Sequence, residues 1–371
     1  MRLRKLDEFM VKRGGSVDPS KFKNETFELF SIPAFDQGSP EVVEGGKIGS
    51  SKKIVEPRDV LLSKIVPHIR RCWIVPQRNS KRQIASGEWI QFRGDDFFPE
   101  YLRQFLISSR FHSQFMKTVK GVGGSLLRAS PAQVAEIEIP LQSLDNQIRI
   151  AHLLGKVEGL IAQRKQHLQQ LDDLLKSVFL EMFGDIRAQK SNHPWMVLRP
   201  YLNANSGKSS KSVISEKETG IPIYGGNGVN GWAIKALYET PVIVAGRVGQ
   251  QCGVIHVSKG PCWVTDNAIV LSISDDSRLN IIYLAKAFHY APIRERVKQL
   301  DLPFISQPML LDYPLPLPPI DLQNQFAAIV EKVESIKSRY QQSLTDLESL
   351  YGALSQKAFK GELDLSRVPL V

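Results

Sequence analysis

The stretch "IPLQSLDNQ" (Ile139–Gln147) returns 176 residues later as "LPLPPIDLQ" (Leu315–Gln323). The same shift aligns Pro140 with Pro316, Asp145 with Asp321, Gln147 with Gln323, the "KVE" of Lys156–Glu158 with that of Lys332–Glu334, and Phe183 with Phe359. A period this long marks duplicated domains and not a solenoid of short repeats.

Each Pro-rich lead-in runs into a seam of residues spaced alternately by four and three. In the first copy it is Ile150, Leu154, Val157, Ile161, Arg164, Leu168, Leu171, Leu175, Val178 and Met182. In the second it is Phe326, Val330, Val333, Lys337, Tyr340, Leu344, Leu347, Tyr351, Leu354 and Ala358. That narrow stripe, without an internal Pro, predicts coiled-coil helices of roughly 36 residues, or on the order of 54 Å at 1.5 Å per residue. The natural partner of each is the other.

Charge follows the same division. The net charge of +10 comes from Met1–Glu136 (+8) and Ile186–Pro314 (+5), whereas Ile137–Asp185 (−2) and Leu315–Val371 (−1) are slightly acidic. A basic excess is often only a matter of solubility, so by itself it leaves nucleic acid binding and a merely charged surface equally open for these two blocks. The blocks echo one another more faintly: "VLLSKIVPHIRRCWIV" from Val60 resembles "VIVAGRVGQQCGVIHV" from Val242, each an apolar strand, a polar turn and a second strand. A helix from Tyr101 or Tyr283, then a loop, leads into each Pro-rich segment. The chain therefore reads as domain, long helix, domain, long helix, with pseudo-two-fold symmetry.

No catalytic constellation emerges. "SGKSS" (Ser206–Ser210) is like the end of a P-loop, but Leu202 stands where its first Gly belongs, and "GVGGS" and "YGGNGVNG" lack the GxGxxG of a dinucleotide site. There is no HExxH, no deaminase zinc signature and no Asn-Pro-Pro-aromatic motif of amino-methyltransferases. Cys72, Cys252 and Cys262 have no metal-ligand spacing, so no catalytic or metal site is expected. With no signal-peptide-like stretch and no run of about 18 apolar residues, a cytoplasmic location without membrane contact is expected.

Two unlike basic domains, each followed by a Pro-rich lead-in, a Gln and a long helix ending in "FGD" (Phe183–Asp185) or "AFKGEL" (Ala358–Leu363), resemble the specificity subunit of type I restriction-modification systems. The resemblance spans essentially the whole chain, and "LPLPPIDLQ...KAFKGEL" is its specific part. It implies an α+β protein: two mixed α/β target-recognition domains separated by two long helices that form an antiparallel coiled coil. The first domain would be residues 1–138 and its helix 139–185; the second would be 186–314, and its helix and tail 315–371. It also implies double-stranded DNA with a bipartite site, two methyltransferase subunits and restriction subunits as partners. No cofactor is expected on this chain, with S-adenosylmethionine, and ATP for restriction, on the partners.

Phosphate contacts are expected from Lys52, Lys53, Arg70, Arg71, Lys81 and Arg82 in the first domain and Lys208, Lys211 and Arg247 in the second. Base reading needs donor and acceptor side chains on exposed loops, which nominates Ser125, Arg128, Tyr224, Asn227, Asn230, Gln250 and Gln251. The Gly clusters would let backbone approach DNA, or simply make turns. Three other readings stay open: a nuclease or methyltransferase with an unseen site, a structural coiled-coil protein, and a specificity subunit of a type IIB-like or other anti-phage methylation complex.

Overall fold

Why the lead-in keeps a glutamine is answered by its burial. In the computed structural model, which describes residues 1–78, 80–121, 127–298 and 303–370, Gln147 is 1% and Gln323 0% exposed. Gln147 Oε1 accepts from Phe98 N–H at 2.8 Å, and its amide donates to the carbonyls of Asp96 (3.1 Å) and Gln142 (3.0 Å). Gln323 repeats the pattern, accepting from Asn280 N–H (2.9 Å) and donating to Arg278 (3.0 Å) and Pro318 (2.8 Å). Each glutamine thus satisfies backbone groups at the start of a domain helix and in its own lead-in. Leaving one such buried group unpaired costs about 1–3 kcal/mol.

The chain divides into two compact units, Met1–Lys165 with Gln342–Val371, and Gln166–Gln341. Both are mixed α/β. In the first, a five-stranded sheet is ordered Ser16–Val17, Lys52–Ile54, Arg82–Ala85, Thr26–Phe30, Glu41–Glu44. A three-stranded sheet places Val60–Ser63 between Cys72–Ile74 and Trp89–Phe92. Arg2–Lys5 pairs antiparallel with Glu138–Leu141, so the segment leading out of the domain is also a strand of it. The core joins Phe92, Tyr101, Phe105 and Ile139 to Leu154 and Phe359 of the two long helices.

In the second unit, one four-stranded sheet is ordered Leu202–Ser206, Ala268–Ile273, Ile243–Gly246, Ile255–Val257, and another Ile214–Ser215, Gly228–Ala233, Pro222–Gly225, Trp263–Val264. Trp195–Val197 pairs with Pro314–Pro316, the counterpart of the closing pair above. Phe179, Phe183, Tyr283 and Phe326 pack as one aromatic cluster with centroids 4.7–6.1 Å apart. Tyr101 donates its hydroxyl to the Pro140 carbonyl, and Tyr283 does the same to Pro316 at 2.7 Å.

The long helices are longer than the seam predicts: Leu144–Phe183 has 40 residues and Ile320–Lys360 has 41. Each begins inside its lead-in, before the first seam residue. The carbonyls of Ser143 and Pro319 accept the first helical N–H bonds, so helix starts as soon as the proline segment ends. All twelve central seam residues are buried (Leu154, Val157, Val330, Val333, Leu344) or half-buried (Ile161, Arg164, Leu168, Leu171, Lys337, Tyr340, Leu347).

Within the first unit, Gln142 donates to the Ala358 carbonyl at 3.0 Å while Lys165 pairs with Glu348 at 3.1 Å, so the two helical segments run in opposite directions there. The second unit has the same sense: Phe183 lies against Phe326, and Asp172 pairs with Lys337 at 2.6 Å. Burial opposes the charge on Lys337, but the bond to Asp172 and the nearby Glu334 outweigh it and raise its pKa. Among the described residues no helix is long and apolar enough to cross a membrane.

Candidate nucleic-acid interface

In the first unit the chain leaves Val60–Ser63, makes a 3-10 turn at Pro67–Ile69 and returns as Cys72–Ile74. Val66 (φ 46°) and Arg70 (φ 53°) flank the turn in the left-handed region, which costs a non-glycine residue roughly 1–3 kcal/mol. Bonds to Leu127–Ala129, just before the short helix Pro131–Ala135, hold it there: Ala129 N–H donates to Lys64 O (2.7 Å), Val66 N–H donates to Leu127 O (3.2 Å), and Ile65 bridges Arg128. His68, Ile69 and Arg70 are left at the exposed tip.

The second unit builds the same platform. Between Ile243–Gly246 and Ile255–Val257 lies a 3-10 turn at Gly249–Gln251, with Gly249 at φ 74°. Gly249 N–H donates to Pro303 O (3.2 Å), Ile305 N–H to Arg247 O (2.9 Å), and Val248 bridges Phe304. Two loops, far apart in sequence, are joined edge to edge in each unit.

The glycines of "YGGNG" and "GRVGQQ" bring a third loop to this platform. A side chain on Gly246 would sit 2.2 Å from Gln251 O and 3.0 Å from Gly226 O, and one on Gly226 would sit 3.2 Å from Gly246 Cα. The hairpin carrying Asn227 therefore packs directly on the loop carrying Gln250 and Gln251. Close backbone approach is the reason for glycine there, and the approaching backbone is the protein's own.

The basic residues nominated from sequence fall into two groups. Arg128, Arg247, Lys208 and Lys211 are exposed, although Arg128 lies 3.4 Å from Glu88. Arg70 is exposed too, with its guanidinium turned to Ile107 O at 3.1 Å and Ser109 Oγ at 3.4 Å. Lys52 binds Ser50, Lys53 donates to Trp89 O at 2.9 Å, and burial lowers the pKa of both. Arg82 pairs with Glu25 at 3.1 Å over the rings of Phe22 and Phe27; Lys81 beside it is half-buried. Arg71 is tied to Asp36 by two bonds of 2.7 and 2.8 Å, so it does not offer a free guanidinium.

Of the base-reading candidates, Asn227, Asn230 and Gln250 are exposed and Gln251 is half-buried. Tyr224 departs from the expectation of an exposed loop: it is a strand residue packed in a small core with Val244 and Val264. Ser125 lies outside the described residues. Sequence reasoning passed over Ile69, Val248 and Phe304 at the loop tips, because a lone apolar residue in a polar loop carries no periodic signal. It also passed over His256, whose half-buried ring lies below Gly228 with its pKa lowered chiefly by burial.

Among the described residues no group of three or more His, Cys, Asp and Glu could hold a metal ion. The three cysteines are free and buried, and burial pushes the Cys72 thiol up to about 12. Such thiols are poor nucleophiles.

No protein-family model matches the chain. It is 25% identical over 211 residues to the specificity subunit of the type I restriction enzyme EcoprrI of Escherichia coli, an alignment covering 53% of this chain and half the length of that protein. It is 23% identical over 305 residues to the specificity subunit of the type I restriction enzyme MjaIX of Methanocaldococcus jannaschii, covering 72% of this chain and 70% of that one. The crystal structure of the type I restriction-modification S subunit from M. genitalium superposes with a TM-score of 0.67 at 16% identity, covering 96% of both chains. The curated homologues of this mixed α/β chain are thus specificity subunits of type I restriction enzymes, and its fold is that of a type I S subunit.

Proposed function

We propose that this chain is the DNA-recognition subunit of a type I restriction-modification complex, with residues 1–138 reading one half of a bipartite target and 186–314 the other. The observation that carries this reading is the platform of joined loops built once in each basic block, where an exposed arginine stands on one of the two loops, Arg128 on the second loop of the first block and Arg247 on the first loop of the second. The helices of 139–185 and 315–371 then serve as an antiparallel coiled-coil spacer between readers related by pseudo-two-fold symmetry.

Partner docking is supported by a second repeat. Leu160 and Leu174 on the first helix, and Ile336 and Leu350 on the second, are exposed, lie 176 residues apart in pairs, and each precede a seam position by one residue. A surface that repeats in this way suits one kind of partner bound twice, here methyltransferase subunits. S-adenosylmethionine belongs on those subunits and ATP with the restriction subunits, the chain itself being non-catalytic and acting on DNA in the cytoplasm.

The test is reconstitution. With its methyltransferase subunits and S-adenosylmethionine, the chain should direct adenine methylation to a split sequence, and exchange of residues 1–138 for a homologous domain should change one half-site only. Methylation by the chain alone, or a swap that alters both halves together, overturns the reading.

A further inference from the structure

We infer that the apolar residues at the two loop tips, Ile69 in the first domain and Phe304 with Val248 in the second, read the C5-methyl group of a pyrimidine in the major groove. This rests on the DNA-recognition role proposed above and names the chemical group that the platform recognises.

Single exposed apolar residues are ordinary on protein surfaces. These are set apart by where they recur. Ile69 is 48% exposed, Val248 52% and Phe304 50%, and all three stand on the edge-joined loops that the fold builds once per unit. In the first unit, two of the four described non-glycine residues with positive φ, Val66 and Arg70, bracket the turn that carries Ile69. A β-branched residue such as Val66 persists there only because the bonds from Leu127 and Ala129 hold the loop in place. In the second unit Gly249 adopts the left-handed conformation without strain, and the bridge between Val248 and Phe304 sets their side chains on one tip.

An arginine flanks each tip: Arg70 beside Ile69, and Arg247 beside Val248. Arg247, and Arg70 once its guanidinium leaves Ile107 O and Ser109 Oγ, suit the phosphates on the groove walls, which leaves the apolar side chain facing base edges. An aliphatic or phenyl group neither donates nor accepts a hydrogen bond. The one apolar group that B-DNA presents in the major groove is the thymine methyl, which 5-methylcytosine shares. In unmodified DNA each half-site therefore contains at least one T·A pair beneath a tip.

The experiment uses the assembled complex of this chain with its methyltransferase subunits. Its selected target is remade with each thymine replaced in turn by uracil, which lacks the methyl, and affinity is measured by competition. The wild-type complex should lose about fourfold for each contacted methyl removed, at one or more positions in each half-site. Ile69→Ser should become indifferent to uracil in the half-site read by the first domain and stay sensitive in the other; Phe304→Ser should show the reverse. Melting temperatures should be unchanged, because the tips are exposed. A complex that selects a split sequence yet tolerates uracil at every thymine, or an Ile69→Ser complex with the wild-type pattern in both halves, overturns the inference and leaves the recognition role standing. A complex that selects no sequence overturns both.

Discussion

Glu158, on the first long helix, accepts from both terminal nitrogens of Arg103 at 2.7 Å and from Gln104 Nε2 at 2.9 Å. Gln104 in turn accepts from the Tyr351 hydroxyl at 2.5 Å, which ties the domain helix Pro99–Ile107 to both long helices of its unit. Burial pulls the Glu158 pKa upward, but the bonds and charge of Arg103 and the bond from Gln104 outweigh it and hold the carboxyl below its usual range.

Removing that carboxylate should therefore destabilise the first unit, in a pH-dependent way. Because the folded pKa is depressed, the contribution is fully present above the ordinary glutamate value and is lost as pH falls through the lower folded value. Glu158→Ala is expected to cost about 1.5–3 kcal/mol near neutral pH, toward the low end because the pair is about a third exposed. Urea denaturation at pH 7 and near pH 2 provides the check: the gap between wild type and variant should narrow at the lower pH. An equal gap at both would show that packing, not charge, is what Glu158 supplies.

The direction of the helices can be tested by crosslinking. Leu154 is buried in the core of the first unit, and Leu354 packs against that same core. Cysteines placed at Leu154 and Leu354 should form a disulfide rapidly under mild oxidation. A Leu154 and Val330 pair should remain unbridged, and the opposite result would require a parallel arrangement of the two helices.

Salt dependence should separate the arginines. Loss of Arg128 or Arg247, both exposed, should flatten the plot of log affinity against log salt by about 0.9 for each phosphate contact removed. Arg71→Ala should leave the slope alone and lower stability instead, since it frees Asp36, whose carboxyl the Arg71 hydrogen bonds hold below its usual range. A flattened slope for Arg71→Ala would mean that the pair with Asp36 opens on DNA.

What the amino-acid order determined by itself is whatever local periodicity and internal repetition can carry. The 176-residue period predicts the duplication, and the alternating four and three spacing from Ile150 and Phe326 predicts two long helices, because an α-helix stacks residues three and four apart on one face. The faint echo between the segments at Val60 and Val242 anticipates the equivalent strand pairs. Their joining to a second loop, at Arg128 and at Phe304, rests on backbone bonds between residues more than fifty apart, which leave no mark on composition. Likewise, nothing local distinguishes Arg70, at an exposed tip, from its neighbour Arg71, bound to an aspartate 35 residues away. Tertiary structure decided which cations stay free, which glycines meet one another and which apolar side chains face water, because each depends on chain segments that only folding brings together.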